Sequence, residues 1–157
     1  MMNDYFKRLY TYNMWANDKL LTLLEQHKVT DQEVLVATSH YLAAMEIWVS
    51  RIQGRPARVN GVWEVYDYPR CREVSQQAGE DWLALIPTLT EADYHRRIAY
   101  KNTQGDYYET PVIDIMGHAI NHATYHRAQI ARMLRLAGIK PINTDFITYA
   151  RLHDLGV

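Results

Sequence analysis

The sequence predicts an all-α fold, a four-helix bundle, with a small β-hairpin before the last long helix. Three observations predict it. Four long segments repeat their apolar residues at helical spacing. The signals that open and close these segments are those of helices. Helix-forming residues dominate, with only 5 prolines and 7 glycines among 157 residues. Four long helices in so short a chain bury their apolar faces most simply against one another.

The length suits one domain, taken as residues 1–157, with one sizeable core. Hydrophobic residues make up 48% and charged residues 22%, the mix of a soluble globular protein. The formal net charge is −1 with the two signs interspersed. No basic field exists to attract nucleic acid, so a nucleic-acid partner is not expected. The single cysteine, Cys71, excludes an internal disulfide and fits a reducing, cytoplasmic location. Flanked by Arg70 and Arg72, it reads as an ordinary thiol. The segment from Met1 to Lys7 lacks the apolar core of a signal peptide, and no apolar run reaches membrane-spanning length. Neither a leader nor a membrane partner is expected.

The first helix is expected after Asn3 and to about Gln26, with Asn3 as N-cap and Asp4 complementing the positive helix end. Its inward stripe reads Leu9, Asn13, Ala16, Leu20 and Leu23. Thr30-Asp31-Gln32-Glu33 reads as a capping box opening the second helix, which Gly54 and Pro56 end after Gln53. Its stripe is Val36, Ala37, His40, Ala43, Ala44 and Ile47. A long loop follows, to about Pro69. The third helix, from about Arg70 to Leu89, offers Trp82, Leu83, Leu85 and Ile86, but Gly79 and Pro87 weaken it. Thr90 to Asp93 can cap one short turn. A hairpin is expected from His95–Lys101 and Asp106–Glu109, turning at Asn102-Thr103-Gln104-Gly105. In the last long helix Thr110 is read as the cap, Pro111 as the first position and Gly138 as the stop. One more turn is expected near Asp145–Leu152. The loop and hairpin read as decorations or crossovers.

The last long helix carries His118, His122 and His126. Each step of four advances about 40°, so adjacent members share a face and can reach one ion. The outer two stand about 12 Å apart along the axis, too far to share an ion through Zn–N bonds of about 2.0–2.1 Å. A pair must be chosen, and a third ligand must come from another helix. His40 is the candidate: one polar residue on an apolar stripe, beside alanines that leave space. A core histidine satisfied by one hydrogen bond would read the same way. With His122 at zero, Gln129 falls at about −20°, Met133 at about +20° and Tyr125 at about −60°. Gln129 can hydrogen-bond a metal-bound water or orient His126. Arg127, at about 140°, faces away and is expected to pack on a neighbouring helix or pair with a carboxylate.

The segment His118-Ala-Ile-Asn-His122-Ala-Thr-Tyr125-His126-Arg127-Ala-Gln129 resembles the signature helix of the DinB family, the damage-inducible, YfiT-like metal-binding four-helix bundles. Tyr12-Asn13-Met14-Trp15-Ala16-Asn17 resembles the family's first-helix motif, and His40 to Trp48 its second-helix segment. Asn102 to Gly105 matches its hairpin turn, and Pro141 with Thr144-Asp145 its C-terminal tail. Ala128 departs from a common glycine, a small change. The motifs span nearly the whole chain in order. The resemblance implies a metal held by His40, His122 and His126, with His118 at the rim or in an outer layer. It assigns Trp15 to packing and Asn17 to an interhelical hydrogen bond.

Three neutral histidines leave open positions, the layout of a catalytic rather than a closed structural site. A bound cation can bring a water or thiol toward neutral pKa. Histidine nitrogen suits Zn, Ni, Cu and Fe alike, so one divalent ion is expected, with Zn, Ni or Fe foremost. Relatives implied by the resemblance include transferases and isomerases that use low-molecular-weight thiols. The leading expectation is a metal-dependent thiol transferase, or a hydrolase-like enzyme, in stress or detoxification. Gln129 and Tyr125 would face the substrate. The alternative is a non-catalytic metal-binding stress protein acting as a dimer or through partners. A homodimer is expected in either case.

Overall fold

The computed structural model describes residues 2–153; residue 1 and residues 154–157, the ends of the expected 1–157 domain, lie outside the described residues. In chain order they form α1 (Met2–Gln26), α2 (Gln32–Gln53), α3 (Tyr68–Leu85), a 3-10 turn (Ile86–Thr88), α4 (Glu91–His95), antiparallel strands β1 (Arg97–Lys101) and β2 (Tyr107–Pro111), α5 (Val112–Leu136) and α6 (Phe146–His153). The four long helices make the expected all-α bundle, with the hairpin directly before α5. α2 packs mainly on α5 and α3, and α1 on α3 and, more lightly, on α5. Thus α1 and α2, joined by a short connection, face each other across the bundle.

The core closes around Trp82, which is fully buried. Its ring lies 4.5 Å from that of Tyr10, and its indole N–H donates to the Met45 carbonyl at 3.1 Å. One side chain therefore ties α3 to both α1 and α2. Gly79, one turn earlier on α3, lies where Met14 of α1 comes in: a Cβ there would stand 2.6 Å from the Met14 side chain. The glycine that weakens the helix is thus the seat of a close approach.

Several helix boundaries differ from expectation for local reasons. Asn3 is inside α1, not its cap; its amide donates to the Leu89 carbonyl and its oxygen accepts from Tyr94. At α2 the cap is Asp31 rather than Thr30, its carboxylate accepting from the N–H groups of Glu33 and Val34. α3 starts two residues earlier than Arg70, capped by Asp67 with Pro69 in its first turn, and ends at Leu85 where the chain tightens into the 3-10 turn. His95 belongs to α4, whose capping box is Thr90 and Asp93. Thr110 and Pro111 continue β2, because the Thr110 hydroxyl pairs with Tyr100 across the hairpin instead of capping α5. In the hairpin turn only Gly105 has positive φ; Asn102 instead accepts from the N–H groups of Gln104 and Asp106.

Glu46 of α2, 1% exposed, anchors the loop that follows. Its carboxylate accepts from the guanidinium groups of Arg55 and Arg58 at 2.8 and 2.9 Å, and from the Arg58 backbone N–H at 3.0 Å. Asp81 of α3 joins both arginines. Burial alone would raise the Glu46 pKa, but the arginine hydrogen bonds outweigh it and hold it at about 2, down from 4.5. A depressed folded pKa stabilises the fold above the unfolded value, and that stabilisation is lost as pH falls from 4.5 toward about 2. Glu46→Gln should therefore cost on the order of 3 kcal/mol near neutral pH and flatten the acid limb of stability. Urea unfolding at stepped pH measures both.

Candidate metal centre

α2 brings His40, and α5 brings His122 and His126, to one point. The His40 Nε2 lies 3.3 Å from His122 Nε2, which lies 3.1 Å from His126 Nε2. All three ligand atoms fall within 4.8 Å of one another. The helical spacing of four accounts for the second pair. The α2–α5 packing accounts for the first.

The protonation pattern follows from the neighbours. The Val62 carbonyl, 2.9 Å from His40 Nδ1, can only accept a hydrogen bond. Nδ1 therefore carries a proton, which leaves Nε2 as the ring nitrogen that faces the other two histidines with its lone pair when it ligates. Burial, reinforced by His126, His40 and His118, pulls the His122 pKa down to about 4. Burial and His40 also lower His126, while the Gln129 amide pulls it the other way. His122 and His126 are thus neutral at physiological pH, the form that ligates metals. A single N–H cannot satisfy three converging nitrogens. A cation can: tetrahedral ligation at about 2.0–2.1 Å sets ligand nitrogens roughly 3.3 Å apart. The donor set therefore fits one divalent ion. No Cys, Asp or Glu joins the group among the described residues.

Two clefts flank the centre. The first, about 480 Å³, runs from His40 and His122 past His118 to Trp48, Arg51 and Tyr100. The second, about 330 Å³ and mostly apolar, lies between Val36, Ala37, His126, Gln129 and Met133. His40 and Trp63 border both. The Trp63 ring stacks on His40 at 4.3 Å and is 67% exposed. His118 stacks on His122 at 5.3 Å and stands edge-on to Trp48. Burial lowers its pKa as well. Tyr125 is exposed, edge-on to His126, and lines neither cleft.

The opposite face of α5 carries Arg127, buried and donating to Asn13 and Asn17 of α1 at 2.6 and 2.9 Å. Weaker contacts reach the hydroxyls of Tyr12 and Thr124. Of the two roles expected for Arg127, it packs on a neighbouring helix; its acceptors here are neutral amides and hydroxyls.

The sequence pattern of the DinB family matches residues 1–154. The chain belongs to the DinB family. It is also similar to "Protein DinB" of Bacillus subtilis (strain 168), 23% identical over 165 residues that cover 94% of this chain and 95% of that relative. In this DinB-family chain the separated motifs meet in space. Tyr12, Asn13 and Asn17 receive Arg127, and the Tyr12 hydroxyl donates to the Thr144 carbonyl of the tail. The hairpin and long loop are not mere decorations. They build cleft walls through Tyr100, Asn102, Thr103, Val62 and Trp63. Tyr100, Val62, Trp63 and Arg51 were missed at the sequence level, whereas Asn102, Thr103 and Trp48 were read only as parts of the hairpin-turn and second-helix motifs, not as cleft walls. Arg51 did carry a signal: eleven residues after His40, it falls about 20° from it on the helix. Val62 and Trp63 carried none, since a loop has no periodicity.

Cys71 is fully buried, with Ser39 Oγ and the Tyr66 carbonyl each 4.0 Å from its sulfur. Burial pushes its pKa up to about 11 despite the Ser39 contact. Its arginine neighbours turn away, Arg70 to Glu73 and Arg72 to Glu25. Dithionitrobenzoate should therefore label no thiol in the native protein within minutes and one per chain in guanidinium. Rapid native labelling would contradict this burial.

Proposed function

We propose that this DinB-family chain holds one divalent cation on His40, His122 and His126 and catalyses group transfer with a low-molecular-weight thiol, in stress defence or detoxification. One observation carries the reading: three Nε2 atoms converge between two open clefts, and no fourth His, Cys, Asp or Glu completes the set among the described residues. A closed structural centre would need that fourth ligand. When bound, the cation supplies a Lewis acid that favours the thiolate of an incoming thiol at neutral pH.

The chain's own residues do the rest. Val62 fixes the His40 tautomer, so that Nε2 faces the centre. Trp63, stacked on His40, shields one side of the centre from water. His118 lines the thiol's cleft as a neutral base for the proton the thiol releases. The second, apolar cleft receives the electrophile, with Gln129 beside His126 positioned toward it. Sulfur then bonds to the electrophilic carbon, and the leaving group departs with its electron pair. This keeps Gln129 in a substrate-facing role and leaves Tyr125 outside it.

Protein purified without chelator or nickel resin should contain about one divalent ion per chain by mass spectrometry, and elemental analysis then identifies it. His122→Ala should abolish both metal binding and turnover in a screen of cellular thiols, with the far-ultraviolet circular dichroism unchanged. Equal activity in metal-free protein would overturn the proposal. One ion per chain with no turnover of any thiol would favour a non-catalytic metal-binding role.

A further inference from the structure

Arg51 lines the same cleft as His40 and His122. Its guanidinium carbon sits 4.5 Å from the ring centres of both Trp48 and Tyr100. One nitrogen donates to the Lys101 carbonyl at 3.1 Å. The neighbouring arginines Arg55, Arg58, Arg70 and Arg72 all pair with carboxylates. Among the described residues no carboxylate pairs with Arg51. Burial already disfavours its charge. Two aromatic faces hold the group by cation–π contact, and most of its five donors remain for a ligand.

The floor between this cation and the metal ligands is paved with rings. Trp48 stands edge-on to His118 at 5.4 Å, and His118 stacks on His122 at 5.3 Å. Asn102 and Thr103 of the hairpin turn add polar groups to the wall. A cleft with histidine ligands at one end and an arginine without a carboxylate at the other has two ends of different chemistry. A guanidinium fork matches a carboxylate in shape and charge.

We propose that Arg51 is an anion-recognition residue that receives the carboxylate of a small ligand whose other end, a thiol, lies at the three-histidine centre. The thiol end rests on the function proposed above; the carboxylate end rests on Arg51 alone. The residue selects substrate by its distal group and takes no part in bond making.

The test uses cobalt-loaded full-length protein and two probe series, ω-mercaptoalkanoic acids of three to eleven carbons and the matching mercaptoalcohols. Thiolate binding is read from the near-ultraviolet sulfur-to-cobalt absorption. The acid should bind roughly tenfold tighter than its alcohol at one preferred chain length, the scale of a charge-assisted hydrogen bond. Arg51→Gln should abolish that preference and leave the alcohols unchanged. Arg51→Lys, which keeps the charge without the fork and preserves more of the packing, should reduce it several-fold. An acid preference that is flat with chain length, or unchanged in both variants, would overturn the proposal, because the metal's own charge would then explain it. If no thiol of either series produces the absorption, the thiol reading fails instead. Glutarate then tests Arg51 separately, by tryptophan fluorescence of zinc-loaded protein. Binding weakened about tenfold in Arg51→Gln supports the anion site, and equal binding refutes it.

Discussion

The hydrogen bond from His40 Nδ1 to the Val62 carbonyl, 2.9 Å long, decides how the rest of the centre is arranged. It sets which ring nitrogen of His40 carries the proton, and so which one is free to meet His122 and His126. A backbone carbonyl can do this only if its loop is held still. α2 holds the loop at both ends. Glu46 grips Arg55 and Arg58 where the loop begins. The Ser39 hydroxyl accepts from the Tyr66 N–H at 2.9 Å where it closes. Asp67 then caps α3. Three side chains of one helix, Ser39, His40 and Glu46, thus place the loop that orients a ligand on that same helix.

α5 serves two masters on its two faces. His122 and His126 face α2 and the clefts, while Arg127 is buried toward α1. A buried guanidinium is costly unless its donors find acceptors. Here the two terminal nitrogens find amide and hydroxyl oxygens while Nε is buried without a partner among the described residues, so the charge is solvated by dipoles at its outer edge rather than neutralised. The acceptors carry the coupling onward. The Asn17 amide donates to Ser75 of α3, and Asn13 reaches the Met45 sulfur of α2. The rotation of α5, which aims the histidines, is therefore tied to the three other long helices.

Much of this was legible beforehand, and the reasons are local. Helical spacing placed His122, His126, Gln129 and Met133 on one face and Arg127 on another, because a regular helix has a fixed angular step. The four long helices were readable for the same cause, and the hairpin turn and the Gly54 and Gly138 stops because glycine takes the positive φ that turns and helix ends need. The errors cluster at helix starts. Asn3, Thr30 and Thr110 are all sound caps by residue type, yet each lost that role to a neighbour or to a tertiary partner such as Tyr94 or Tyr100. Capping side chains are short and versatile, so competition one residue away decides the outcome.

The sequence by itself determined the bundle, the shared face of the α5 histidines and His40 as an isolated polar residue among alanines. Each rests on periodicity along one element. Spacing alone left the partners of His40 open and the family resemblance implied His122 and His126; the tertiary structure brings their nitrogens together, and it alone decided that Val62 sets the His40 tautomer and that Trp63 and Tyr100 wall the clefts. Those contacts join residues far apart in the chain, through a loop and a hairpin whose placement no local pattern encodes. The three-histidine centre is a property of helix faces; the clefts around it are a property of how the connections fold back over them.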